Sequence, residues 1–311
     1  MELNKADQVI PVKAEHKDDE PRGLMLMVAS LMLFSVTMLL NRVILQSESI
    51  DAVNLFMYSS IVQVAVSEAL RRGVYKQPMK PLWDAPRGLL LICMRQSFSV
   101  LGWLAMTYLS SRLPIGYIQL NQNAIPVFTA VLGYFFLREV VTRIETIALL
   151  VCFAVITVTG IRKTLVTYDP HGQYTLGNIL LCIVSVFSFS VINIVGRLLK
   201  GFHYSVLCSA QFTLNVLFSL AVMLCISDEP YVPSSLRALA LIASLGLSRS
   251  FSTLLFVRAC QLAKSQRIAT LNYAQALFGY TIDVLIYDYS LAFIEIVAIL
   301  VVMGTGAITF I

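Results

Sequence analysis

The stretch Arg112–Ile161, RLPIGYIQLNQNAIPVFTAVLGYFFLREVVTRIETIALLVCFAVITVTGI, decides how the rest of the chain is read. Two apolar blocks flank a charged break, Arg138-Glu139, with Arg143 and Glu145 just beyond it. The first block is long enough to cross a bilayer, which takes about 20 residues for ~30 Å of hydrocarbon. Its first half nevertheless carries Gln119, Asn121, Gln122 and Asn123, and Pro126 follows. An amide without a partner in hydrocarbon costs several kcal/mol. These side chains should therefore face protein or a wet cavity, not lipid. A spanning helix with one polar end and a proline reads as part of a pathway.

The same balance holds along all 311 residues. The chain is 58% hydrophobic and only 13% charged, where a soluble domain carries about 25% charged residues. With a mean hydropathy of +0.77, it is expected to be a polytopic membrane protein. The net charge of +5 fits basic loops on a cytosolic face and gives no case for nucleic-acid binding. Cys93, Cys152, Cys182, Cys208, Cys225 and Cys260 all fall in apolar segments without CxxC spacing. They read as small buried hydrophobes, neither disulfides nor metal ligands.

From Gly23 onward the hydropathy resolves into about ten spans. Five lie near Leu24–Leu45, Val53–Leu70, Leu89–Leu109, Leu113–Leu137 and Ile144–Ile161. Five more lie near Leu176–Leu199, Ser205–Ile226, Leu236–Cys260, Ile268–Tyr287 and Ala292–Ile311. Residues 1–22 read as a disordered cytosolic tail, 23–162 as a first five-helix unit, 163–175 as a connecting loop and 176–311 as a second unit. With the N-terminus in the cytosol, most Lys and Arg fall on that side, and only Arg42, Arg112, Arg162, Lys163 and Arg237 fall opposite. Both termini are therefore expected to be cytosolic. Nothing in the sequence chooses between the plasma membrane and an endomembrane.

The two units repeat each other. Phe34-Ser35-Val36 followed by Arg42 returns as Phe189-Ser190-Val191 followed by Arg197. Ser97-Phe98-Ser99 returns as Ser250-Phe251-Ser252, Phe128 as Phe278, and Glu145 as Glu295. The order is kept, at an offset of roughly 150 residues. An odd number of spans per copy turns the second copy over, which is the inverted-repeat plan of secondary transporters.

The segment Asn123-Ala124-Ile125-Pro126-Val127-Phe128-Thr129-Ala130 through Leu137-Arg138-Glu139 resembles the fourth-span signature of EamA-type members of the drug/metabolite transporter superfamily. That signature is a Pro-x-Phe core followed by a Gly, aromatics and a helix-end Glu. Ala154 to Gly160 resembles the small-residue close of each repeat in that family. The resemblance, which extends to solute carrier family 35-like proteins, implies ten helices in two inverted five-helix repeats. It also implies a central cavity and carriage of a small organic solute. The second copy departs from the pattern, with Ala276 in place of the Pro, Asp283 in place of the Gly and Tyr289 in place of the acid.

Charged and amide side chains inside the spans are the candidate site residues, because such groups face the bundle interior or water. Arg249 lies about thirteen residues into its span, ~20 Å at 1.5 Å per residue. Arg95 sits shallower in the equivalent third span. A guanidinium at either place suits a carboxylate or phosphate. The plainer readings are that Arg95 snorkels to the interface and that Arg249 pairs with Asp283. Asp283 itself reads as that counter-ion, as a proton-coupling carboxylate, or as a capped polar in a helix contact. Gln119 and Asn123, four apart on one face, join Tyr273 and Gln275 as candidate cavity lining, the alternative being interhelical hydrogen bonds. Arg42 and Arg197, at helix ends, read as structural.

His16, His171 and His203 lie in the tail or loops, without HExxH, GxSxG or clustered acids. An enzyme is not expected, nor a cofactor or metal, and no phosphate-binding loop points to an ATP-driven pump. The expected partners are a small-molecule solute and the lipid bilayer, not nucleic acid, with a homodimer left open. A secondary transporter explains the pattern best. The alternative is a membrane regulator that keeps the fold without transporting.

Overall fold

The computed structural model describes residues 20–48, 50–79, 86–137, 143–165, 175–199, 201–226, 233, 235–263 and 271–310. Among them there is no strand. In chain order the helices are α1 (Glu20–Ser47), α2 (Ala52–Ala69), α3 (Pro86–Ser110), α4 (Ile115–Gln122), α5 (Ile125–Leu137) and α6 (Arg143–Leu165). Then follow α7 (Leu176–Leu198), α8 (Tyr204–Ile226), α9 (Leu236–Leu262), α10 (Gln275–Tyr287) and α11 (Phe293–Phe310). The break at Arg138-Glu139 lies outside the described residues.

Polarity runs opposite to that of a water-soluble protein. Asn41, Gln63, Gln96, Gln119 and Asn215 are buried, whereas Leu90, Phe135, Phe136, Leu224 and Phe293 are exposed. Hydrocarbon outside the bundle makes that the favourable arrangement. The described cysteines are free, as expected, but Cys225 lies exposed, not buried.

Among the described residues, six helices are long and apolar enough to cross a membrane: α1, α2 with its π-helical extension to Val74, α3, α7, α8 and α9. The chain is thus an integral multi-pass membrane protein. The fourth and ninth expected spans differ from the sequence reading, because neither is one helix. Pro126 has no N–H, and its ring crowds the carbonyl four residues back, that of Gln122. The chain instead tightens, with Asn123 N–H bonded to Leu120 O at 3.1 Å and Ala124 N–H to Asn121 O at 3.0 Å. From α7, Ser190 Oγ donates to Ile125 O at 3.2 Å just past the break. The ninth segment opens with a 3-10 turn, Asn272–Ala274, before α10.

The main helix contacts pair α1 with α9, α3 with α7, α2 with α8, α4 with α10, α2 with α9 and α6 with α11. Each joins the part of the chain before α7 to the part from α7 onward. The closest approach is between α4 and α10. A Cβ on Gly279 would strike the Gln119 side chain and the Gly116 backbone, and one on Gly116 would strike Tyr280. Small residues are what let two spanning helices cross so closely.

Candidate functional site

A cavity of about 80 Å³ lies between these paired helices. From α3 come Arg95, Ser99 and Trp103, spaced four apart and hence on one face. From α1 come Ser30 and Phe34, from α7 Phe189 and Asn193, and from α8 Gln211. Ser252 and Phe256 of α9, Gln122 and Ile125 at the α4–α5 break, and Asn272 and Gln275 at the start of α10 close it. Both broken segments thus end at this cavity.

Arg95 is buried and donates from Nη1 to Gln211 Oε1. Gln211 Nε2 in turn donates to Ser99 Oγ at 3.2 Å. One turn on, Gln96 Nε2 donates to Asn215 Oδ1, a second rung between α3 and α8. Among the described residues no carboxylate forms a salt bridge with Arg95, and its Nε has no partner. A buried guanidinium without a counter-charge is costly, by several kcal/mol. Across the cavity the wall is aromatic. Trp103 packs against Phe34 at 5.2 Å between centroids and meets Phe189 edge-on at 5.6 Å.

Of the residues chosen from sequence, the structure brings Arg95 and Gln275 to the cavity. Arg249 is behind it, between Phe56 and Trp103. Gln119 exchanges hydrogen bonds with Ser35 of α1, its Nε2 donating at 3.0 Å. Asn123 is fully buried beside the helix break, its amide unpartnered. Tyr273 is buried in an apolar cluster with Leu120, Ile125 and Ala298.

Asp283 does not reach Arg249. Its carboxylate accepts from Ile115 N–H at 3.1 Å and Gly116 N–H at 2.6 Å, and so caps α4. Arg42 Nη1 lies 3.4 Å from Asp283 Oδ1, and the Arg42 guanidinium sits over the Tyr287 ring at 4.1 Å. Of the three sequence alternatives for Asp283, the geometry is that of a capping residue, with Arg42 as its cation. Arg42 therefore holds a buried helix junction, a role that its place near a helix end did not reveal.

Gln122, which the sequence placed against protein or a wet cavity, also reaches the cavity, as do Asn193 and Gln211, which sequence reasoning did not select. A signal was available for Gln211. It and Asn215 are four apart in an apolar span, the same one-face spacing that singled out Gln119 and Asn123.

Residues 21–161 match the model of the EamA-like transporter family. Over that stretch the chain is similar to the family. Three curated relatives, each named S-adenosylmethionine uptake transporter, come from Rickettsia conorii, Rickettsia prowazekii and Rickettsia bellii. Their identities are 24%, 26% and 24%, over 71% of this chain and 68%, 68% and 69% of theirs. One solved protein structure superposes with a TM-score of 0.66 at 15% identity, covering 93% of this chain and 96% of that one. At that identity the likeness concerns the fold alone. With the EamA-like match and these relatives, the chain is a membrane transporter of a small-molecule solute, not an enzyme.

Proposed function

We propose that the chain is a secondary transporter that works by alternating access, with residues 23–162 and 176–311 as two inverted five-helix repeats. The helix contacts support this reading. Exchanging the first five spans for the last five turns the α1–α9 contact into that of α7 with α3, and it maps the α2–α8, α4–α10 and α6–α11 contacts onto themselves. The solute site is the cavity between the repeats, and rocking of one repeat against the other opens it to each side in turn.

The observation that carries the solute assignment is Arg95, a cation on the cavity wall without a carboxylate partner among the described residues. A solute bearing a carboxylate or phosphate removes that penalty, with Gln211 and Ser99 orienting the guanidinium. The proposed solute is thus an anionic or zwitterionic metabolite. S-adenosylmethionine, in the name of the Rickettsia relatives, has the required carboxylate together with a flat adenine that suits the aromatic wall. Both termini are proposed to be cytosolic.

The test is thermal unfolding of the purified protein in detergent with a panel of organic acids, amino acids, sugar phosphates and adenosyl compounds. A true solute at about 100 times its dissociation constant adds ~2.7 kcal/mol of stability. Arg95→Gln should abolish that gain. Stabilisation that survives Arg95→Gln would sink the anion-site assignment. No stabilisation by any member would favour a regulator that keeps the fold.

A further inference from the structure

Arg249 is the largest fully buried side chain described, yet it is not among the residues that line this cavity. Its guanidinium carbon lies 3.9 Å from the Trp103 ring centroid and 4.4 Å from that of Phe56. Nη1 is 3.3 Å from Ser59 Oγ, and Nη2 has no partner. Among the described residues no carboxylate forms a salt bridge with it. Trp103 therefore carries a buried cation against its ring and also lines the cavity.

A cation held against an indole draws the ring's π density towards itself. What remains on the cavity side is a poorer seat for a second cation and a better one for a neutral flat ring. Repulsion between two cations across one ring acts in the same direction and is little screened in a dry interior. The lining adds Arg95 and, among the described residues, no Asp or Glu. Phe34 and Phe189 hold the indole in place.

We propose that this cavity selects its solute by charge at the Trp103 wall, and that Arg249, acting through Trp103, is the residue that sets the preference. Resting on the carrier reading above, the inference narrows the solute class. It is a metabolite with an anionic group for Arg95 and an uncharged flat ring for Trp103, without a cationic centre beside that ring. The sulfonium of S-adenosylmethionine is then a disadvantage here, and its uncharged thioether analogue fits better.

The chain has two tryptophans, so Trp83→Phe leaves Trp103 as the sole one and its fluorescence as a direct reporter. In that background, two matched pairs are titrated: S-adenosylhomocysteine against S-adenosylmethionine, and benzoate against N-methylnicotinate. The uncharged-ring or thioether member of each pair should bind roughly tenfold more tightly. Arg249→Gln should bring each ratio near one and shift Trp103 emission. Arg249→Lys, which keeps the charge, should retain most of both, an outcome that a merely structural arginine would not produce.

Equal affinities within both pairs overturn the inference, as does a ratio that Arg249→Gln leaves intact. A Trp103 signal that answers none of the four probes overturns it as well, since no ring then reaches that face. If Arg249→Gln does not fold, the unsubstituted arginine protein decides through its ratios alone. Proteoliposome flux separates the two proposals. Flux without a charge preference breaks this inference only, whereas preferential binding without flux breaks only the transport reading.

Discussion

Asp283 and Glu68 are both carboxylates that tie together helices distant in sequence, and they do so at opposite ends of α2. That helix is 18 residues long, about 27 Å at 1.5 Å per residue. Asp283 of α10 is 1% exposed and holds the first two N–H groups of α4 and the guanidinium of Arg42, which lies near the end of α1 that leads into α2. At the end of α2, Glu68 has a side chain 24% exposed, with Arg71 and Arg72 each at 2.6 Å and Ser209 of α8 donating to it. Both groups are satisfied. They differ in what would replace them: water can reach Glu68 itself and its exposed partner Arg72, whereas Asp283 and the two N–H groups it caps are buried, with only Arg42 partly exposed. Burial, more than the number of contacts, therefore sets what each junction contributes.

The largest effect is expected at Asp283. Asp283→Ala leaves two buried N–H groups and a half-buried arginine without an acceptor, and breaking a buried pair from one side costs about 3–5 kcal/mol. Unfolding in detergent should show that loss. Adding Arg42→Gln to the variant should recover part of it, because the stranded charge is then gone. A loss under ~1 kcal/mol would mean that water enters the α4–α10 junction, and the contrast with Glu68 would disappear.

Glu68→Gln is the complementary case. Its arginines are three and four residues away on its own helix and turn, and Arg72 is largely exposed. Such a pair contributes ~0.2–1 kcal/mol and weakens further in salt. We expect a small loss at low ionic strength that fades at high ionic strength, while the Asp283→Ala loss persists. Equal salt dependence at both ends would show that the two junctions are solvated alike.

These two junctions also mark how far the sequence could be read. Caps made by neighbours in sequence were within reach of pattern reading. Asp51 accepts from Asn54 N–H at 2.8 Å to start α2, and Ser235 accepts from Ala238 N–H at 3.0 Å to start α9. The cap of α4 was not, because Pro114 has no side-chain acceptor to offer and the carboxylate arrives from α10, in the other half of the chain. Hydropathy located the long spans because lipid imposes a length on each of them. It overstated continuity at Pro126, where the missing N–H splits one apolar block into α4 and α5.

The cavity was legible in the same uneven way. That Arg95 and Arg249 are buried follows from their depth in apolar spans. Which of them faces the solute depends on how α3 and α9 are turned against their neighbours, and one helix's periodicity cannot supply that. Trp103 shows the same limit. Its position in the third span was plain, but its contact with Arg249 and its place on the cavity wall exist only once α2, α3 and α9 are packed.

The smallest effect expected comes from His203, and it would give the Glu68 end a pH dependence of its own. His203 is the sole histidine among the described residues and stands just before α8. Its carbonyl accepts from Val206 and Leu207, and its Nδ1 accepts from Ser205 N–H at 3.3 Å. The rings of Tyr75 and Tyr204 lie against it, and Arg258 sits over Tyr204. Partial burial first, and then the Arg258 charge, hold the imidazole below its ordinary pKa of 6.5. Protonation would also cost Nδ1 its acceptor role. The folded state thus binds the proton less readily than the unfolded chain. The stability this confers is complete above about pH 6.5 and is lost as pH falls towards the lower folded value. Melting followed from about pH 7.5 down to about pH 5.5 should fall more steeply for the native chain than for His203→Gln. Parallel curves would place the acid-sensitive group elsewhere and leave the two ends of α2 distinguished by burial alone.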